Sequence, residues 1–318
     1  MSVENSIWIK YRPSRAVLFG VKLLIGGFLL WYLWTRISDA FYSQHILDLS
    51  LGKQGVMWLL VGTTLSFANW FFEAKKWQIL ASLFQKTNQF IAYKSVLAGL
   101  ATGLITPNRL GNFIGRLAYI DSKHHLQATI NTQVGNLAQF IVTITAGLFG
   151  LSAVAQMFLP TSFVWIPIIM LIVASTLYFR PKLIIKLPLG SKLYATYSKE
   201  IDDLASLPTV LKWRVLLFSL LRYLIFIVQY ICLYRVFGIE TDPLLIALLS
   251  ASTFLITTVI PGIFMGKLLV RESAAVFVFG WIGLPVQTIV AVSFLMWLIN
   301  LALPAVFGWY FWIKKPTV

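Results

Sequence analysis

Arg109, Asn112 and Arg116 follow Leu104-Ile105-Thr106-Pro107, and Lys267, Arg271 and Glu272 follow Pro261-Gly262-Ile263-Phe264-Met265-Gly266, each set inside an otherwise apolar stretch. Ionisable groups in such surroundings are costly unless paired or wet, which marks them as functional candidates. Arg109 and Arg116 lie seven residues apart, so they share a helical face with Asn112, and guanidinium groups placed there could grip a phosphate. Glu272 is too short to reach an interface and needs a partner, for which Arg271, Lys267 and Arg116 are candidates. A purely structural ion pair, or arginines extended to lipid headgroups, stays open as the alternative.

The backbone around these residues has its own chemistry. Thr106 can cap a helix whose first residue is Pro107, leaving N–H groups free to attract an anion. Gly111 follows that break, and Pro261, Gly262 and Gly266 make a second one. Proline removes a backbone donor and glycine permits a sharp reversal, so 91–121 and 243–283 each read as two half-helices. Two ordinary kinked spanning helices would be the simpler reading.

Other polar residues recur at helical spacing: Thr129, Thr132, Asn136, Gln139 and Thr143; Ser250, Thr253 and Thr257; Arg222 with Gln229. Hydroxyl stripes of this kind commonly join helices. Asn136 and Gln139 are the stronger candidates for lining a wet cavity.

The elements that must hold these groups are set by lipid. Of 318 residues, 58% are apolar and 12% charged, with a mean hydropathy of +0.81. Apolar runs at 16–34, 56–72, 129–150, 163–179, 215–237 and 286–312 each approach the roughly 20 residues that a helix needs to cross a bilayer. The fold class expected is therefore all-α integral membrane, with about six spanning helices plus two broken re-entrant hairpins in one transmembrane domain, 1–318. The first run lacks a cleavage site and reads as an uncleaved helix.

Basic residues set the orientation. Lys10, Arg12 and Arg15 put the N-terminus in the cytoplasm, as do Lys75, Lys76 and Lys86 for loop 73–90, the seven basic residues of 180–214, and Lys314 and Lys315 for the C-terminus. These sides alternate only if both broken stretches return to the face they entered. The unit of helix, hairpin and helix then occurs twice with opposite orientation, in halves of about 16–150 and 163–313, the inverted-repeat plan of secondary transporters. Within 180–214, Leu193, Tyr197, Ile201, Leu204 and Leu207 form one face of an amphipathic surface helix.

Enzyme chemistry finds little support. His124 and His125 have no partner at metal-ligand spacing, Cys232 is the sole cysteine, and no phosphate loop or catalytic triad occurs. No metal and no cofactor are expected. The net charge of +15 is spread between apolar runs, so headgroups and not nucleic acid are the expected counter-charge.

The two breaks resemble a known family. Thr106-Pro107-Asn108-Arg109-Leu110-Gly111 with Arg116, and Pro261-Gly262, Gly266, Val270-Arg271-Glu272, Gly280, Gly283-Leu284-Pro285, Asn300, Pro304 and Gly308, resemble the signatures of the flippase-like transmembrane family typified by the membrane domain of lysylphosphatidylglycerol synthases. The resemblance implies that a lipid with a polar headgroup moves between leaflets of a bacterial cytoplasmic membrane along Arg109, Arg116, Arg271 and Glu272. Asn112 stands where the family's first signature usually has Glu, which favours an anionic lipid over a lysyl lipid. The aminoacyl-transferase domain of the synthases is absent from this sequence, so the expectation is a translocator and not an enzyme. A scaffold for a separate lipid-synthesis enzyme, and a lipid-phosphate enzyme using Glu272 as base, are the alternatives.

Overall fold

The structure, a computed structural model, describes residues 20, 24, 27–29, 31–38, 52–106, 111–156, 165–186, 190–260 and 266–314, and every regular element among them is helical. Helix α1 covers 31–38, with helical positions before it. It is followed by α2 (Lys53–Ala81), α3 (Gln89–Ile105), α4 (Gly111–Leu117), α5 (His125–Ala155) and α6 (Trp165–Phe179). Then come α7 (Gly190–Ser206), α8 (Thr209–Val236), α9 (Pro243–Val259), α10 (Gly266–Gly280), α11 (Val286–Trp297) and α12 (Leu303–Ile313).

A π-helical turn, Leu298–Ala302, joins α11 to α12 without ending the rod. Four rods, Lys53–Ala81, Ser122–Ala155, Thr209–Val236 and Val286–Ile313, are long and apolar enough to cross a membrane, while α3, Pro167–Phe179 and α9 are apolar but shorter.

The distribution of side chains identifies the solvent. Phe67, Phe71, Leu217, Leu220, Leu224 and Phe307 are exposed, whereas Ser66, Asn69, Glu73, Lys76, Arg116 and Gln229 are buried. An apolar exterior over a polar interior is stable in hydrocarbon and not in water, so this is an all-α integral membrane protein.

Two boundaries differ from the sequence reading. Helix α2 continues to Ala81, so Lys75 and Lys76 are not in a loop, and Lys76 is 2% exposed. Likewise α8 begins at Thr209, which takes Lys212 and Arg214 out of the 180–214 loop and buries Lys212. Charges within a helix depress local hydropathy as a loop does, and the pattern alone does not separate the two.

The first broken stretch folds back on itself. Gly111 and Gly115 lie so close to Thr102, Ala98 and Gly99 that a Cβ on either would collide with backbone. The descent α3 and return α4 are thus antiparallel and nearly touching. Gln85, before the hairpin, donates to Tyr119 O at 3.5 Å and accepts from Asp121 N at 2.9 Å beyond it. The chain therefore leaves beside the point at which it entered. Helices α9 and α10 also pack on each other; their connection, including Pro261 and Gly262, lies outside the described residues.

Glycines seat the hairpins against the long rods. Gly147 and Gly150 of α5 meet Leu255, Ala251 and Leu248 of α9, and Gly308 of α12 meets Leu97 and Ala101 of α3. Gly308→Val is expected to cost about 1–3 kcal/mol through overpacking. Thermal unfolding in detergent checks this, and an unchanged midpoint would mean that α12 stands off α3.

Helix α7 is fastened at the surface, where Asp202 accepts from Tyr194 Oη at 3.0 Å and pairs with Lys182 at 3.1 Å. Hydrogen bonds from Lys182 and then Tyr194 hold the Asp202 carboxyl below its ordinary range. Of the amphipathic face, Leu204 is buried and Tyr197, where the helix kinks, is exposed.

Candidate functional site

Glu73 organises the interior. Its carboxylate meets Arg116 Nη2 at 2.6 Å, Lys76 Nζ at 2.9 Å and the Arg222 guanidinium. One carboxylate thus faces three cations brought from α2, α4 and α8. Lys76 also donates to Gly135 O of α5 at 3.3 Å. Arg116 donates from Nε to Asn112 Oδ1 at 3.1 Å and lies 5.1 Å from the centre of the Trp77 ring. Trp77 in turn donates to Ser95 Oγ, and Ser95 donates to Arg116 O, so the arginine is fixed at both ends.

Arg222 extends the network to the centre of the bundle. Its Nε donates to Asn69 Oδ1 at 2.8 Å, and Nη1 reaches Gln139 Oε1 at 3.3 Å. Asn69 Nδ2 points at Asn300 Oδ1, 3.4 Å away. Arg222 stands mid-way along α8, with about 20 Å of helix on either side at 1.5 Å per residue. Asn69, Gln139 and Asn300 are close to the middle of their own rods. Asn300 lies in the π turn, a distortion that often accompanies functional sites. The result is a polar belt at mid-depth. Arg222 is its most accessible cation, with a side chain 17% exposed against 6% for Arg116 and 2% for Lys76.

A second charged group lies further along the bundle. Arg271 Nη2 pairs with Glu272 Oε1 at 2.7 Å, and its Nε donates to Ser293 Oγ of α11 at 3.1 Å. Arg116 and Arg271 occupy equivalent places, each five residues beyond the glycine that opens its return helix.

Several expected site residues are thus brought together, and others are not. Asn112, Arg116 and Gln139 join the first network; Arg271 and Glu272 form the second. Asn136 does not join it: it stands exposed, and its amide is directed at Gln133 Oε1, 3.5 Å away. Pro107 and Arg109 lie outside the described residues, as does the Lys267 side chain. Thr106 closes α3 and does not open the return helix, although its Oγ1 accepts from Gly111 N at 2.7 Å. That contact uses the first N–H of a seven-residue helix, leaving little of the expected anion-binding end.

Asn69, Glu73, Lys76 and Asn300 were not singled out as site residues by sequence reasoning, and Arg222 entered it only as part of a polar face. Glu73 also supplies the carboxylate that Asn112 does not, so an anionic preference must rest on the surplus of cations and not on a missing acid.

These features define a polytopic membrane protein with a charged, hydrogen-bonded interior. The model for the lysylphosphatidylglycerol synthase TM region matches residues 19–308, and the chain belongs to that family. Comparison with curated proteins and with solved structures returned no match.

Proposed function

We propose that the protein moves a lipid with an anionic, phosphate-bearing headgroup between the two leaflets, without making or breaking a covalent bond. The observation that carries this reading is three cations against one carboxylate, tied to a polar belt mid-way through an apolar bundle. A buried charge surplus is costly by itself and is relieved by an anion. Nη2 of Arg222, which serves none of Asn69, Glu73 and Gln139, can donate to a phosphate while the lipid's chains remain in the bilayer. A lysyl headgroup, being cationic, would add to the surplus.

In this reading the two halves are inverted repeats, both termini are cytoplasmic, and the membrane is the cytoplasmic one. The glycine-mediated packing of α5 on α9 and of α12 on α3 supports such a pairing, because the repeat would exchange these two contacts.

The test is transfer of a fluorescent phosphate-bearing lipid across vesicles containing the full chain, read by quenching from outside. Anionic lipid is expected to cross faster than in protein-free vesicles and faster than a net-cationic lysyl lipid. Equal rates with and without protein would remove the proposal.

A further inference from the structure

The two carboxylates of the interior are held very differently. Glu73 has three cationic partners and spends both oxygens on them. Glu272 has Arg271 as its one described cationic partner: Oε1 takes the guanidinium, Oε2 is buried without a well-formed hydrogen bond, and the Ser293 hydroxyl lies within reach of the carboxylate. Around it the hydroxyls of Tyr230 and Tyr234 on α8 and of Ser273 beside it on α10 are also buried and unpartnered. Tyr230 and Tyr234 are fully enclosed, Tyr230 stacked on Phe279 and Tyr234 tilted against it.

No other described charge relieves this carboxylate. Helices α9 and α11 carry no ionisable side chain that is charged, and Arg235 of α8 is directed to Thr241 O. Burial works against the charge of a carboxylate that has one bare oxygen and a single cation, and a proton on that oxygen relieves it.

The position of the pair adds a consequence. Along the rod Val286–Ile313, Arg271 touches Ser293, about 10 Å before Asn300 at 1.5 Å per residue. The first hairpin packs beyond Asn300, where Tyr119 donates to Phe311 O and Gly308 meets Leu97. Arg116 and Arg271 thus flank the polar belt at opposite depths.

We propose that Glu272 is a proton-binding site, and that its protonation frees Arg271 to hold an anionic headgroup on the side of the belt opposite Arg116. The proton goes to the Glu272 carboxylate, the ion pair opens, and the guanidinium keeps its charge. By linkage, a proton at Glu272 and an anion at Arg271 favour each other's binding. The proton site stands on the geometry alone; its coupling to lipid rests on the translocation reading.

Infrared difference spectra of the reconstituted full chain, titrated from mildly alkaline to mildly acidic pH, test the site directly. The wild type should gain a protonated-carboxyl C=O band that E272Q lacks and that E272D shifts. Spectra of wild type and E272Q that superimpose throughout would overturn the proton site. In vesicles, acidifying the Arg271 side should raise wild-type transfer of a phosphate-bearing lipid by up to about tenfold per pH unit and leave E272Q unresponsive. Equal pH responses would overturn the coupling, and absence of any wild-type transfer would remove the translocation reading while leaving the infrared result to stand or fall by itself. Monodisperse elution of E272Q and E272D keeps misfolding apart from either outcome.

Discussion

Glu73→Ala is expected to destabilise the protein by about 3–5 kcal/mol, the penalty typical of leaving buried charges without their partner. The substitution removes little volume, so its cost is electrostatic. Lys76 Nζ, Arg116 Nη2 and the Arg222 guanidinium would face one another with no anion between them. Glu73→Gln keeps the shape and one acceptor oxygen but not the charge, and should lose most of the same stability. Removing one of the stranded cations should restore part of it, so Glu73→Ala with Lys76→Met is expected to be more stable than Glu73→Ala alone. Unfolding of the three variants in detergent micelles decides the matter. A Glu73→Ala midpoint equal to that of the wild type would mean that the cations are neutralised elsewhere and that the network does not organise the interior.

Much of the architecture was written in the hydropathy pattern, because in lipid each helix must satisfy its own backbone and announces itself as a long apolar run. Helix α6, the rod 286–313 and the reversal near Gly111 lie close to where the sequence places them. The site was legible only in part. Arg116, Asn112, Arg271 and Glu272 stand next to proline or glycine breaks and draw notice for that reason.

Glu73 and Lys76 have no such marker. They occur beside Lys75 at the end of an apolar run, where a charged tripod buried in a bundle and a solvated loop look alike in one dimension. Asn69, Arg222 and Asn300 lie inside runs whose average hydropathy they scarcely lower. A usable signal was depth: once α2, α5, α8 and the rod 286–313 are drawn at full length, a polar side chain stands near the middle of each. Reading it requires the helix ends, and the two ends misplaced at 73–81 and 209–214 belong to α2 and α8, which carry Asn69 and Arg222.

Arg222→Lys is expected to slow lipid transfer about tenfold or more while leaving the fold in place. The variant keeps the positive charge, so Glu73 retains three cationic neighbours and the bundle keeps its balance. It loses the planar fork through which one side chain serves Asn69, Glu73 and Gln139 together. An ammonium has three N–H groups, which serving all three partners would use up, whereas the guanidinium keeps the two N–H groups of Nη2 for a phosphate. Two directed hydrogen bonds at about 0.5–1.5 kcal/mol each correspond to a rate loss of that order if they act on the passing headgroup. Arg214→Lys, on the exposed face of the same helix, is the control and should transfer lipid as the wild type does. Transfer by Arg222→Lys at the wild-type rate, with the protein folded, would show that the mid-depth belt supplies charge alone, and the guanidinium geometry would then have no part in carrying the headgroup.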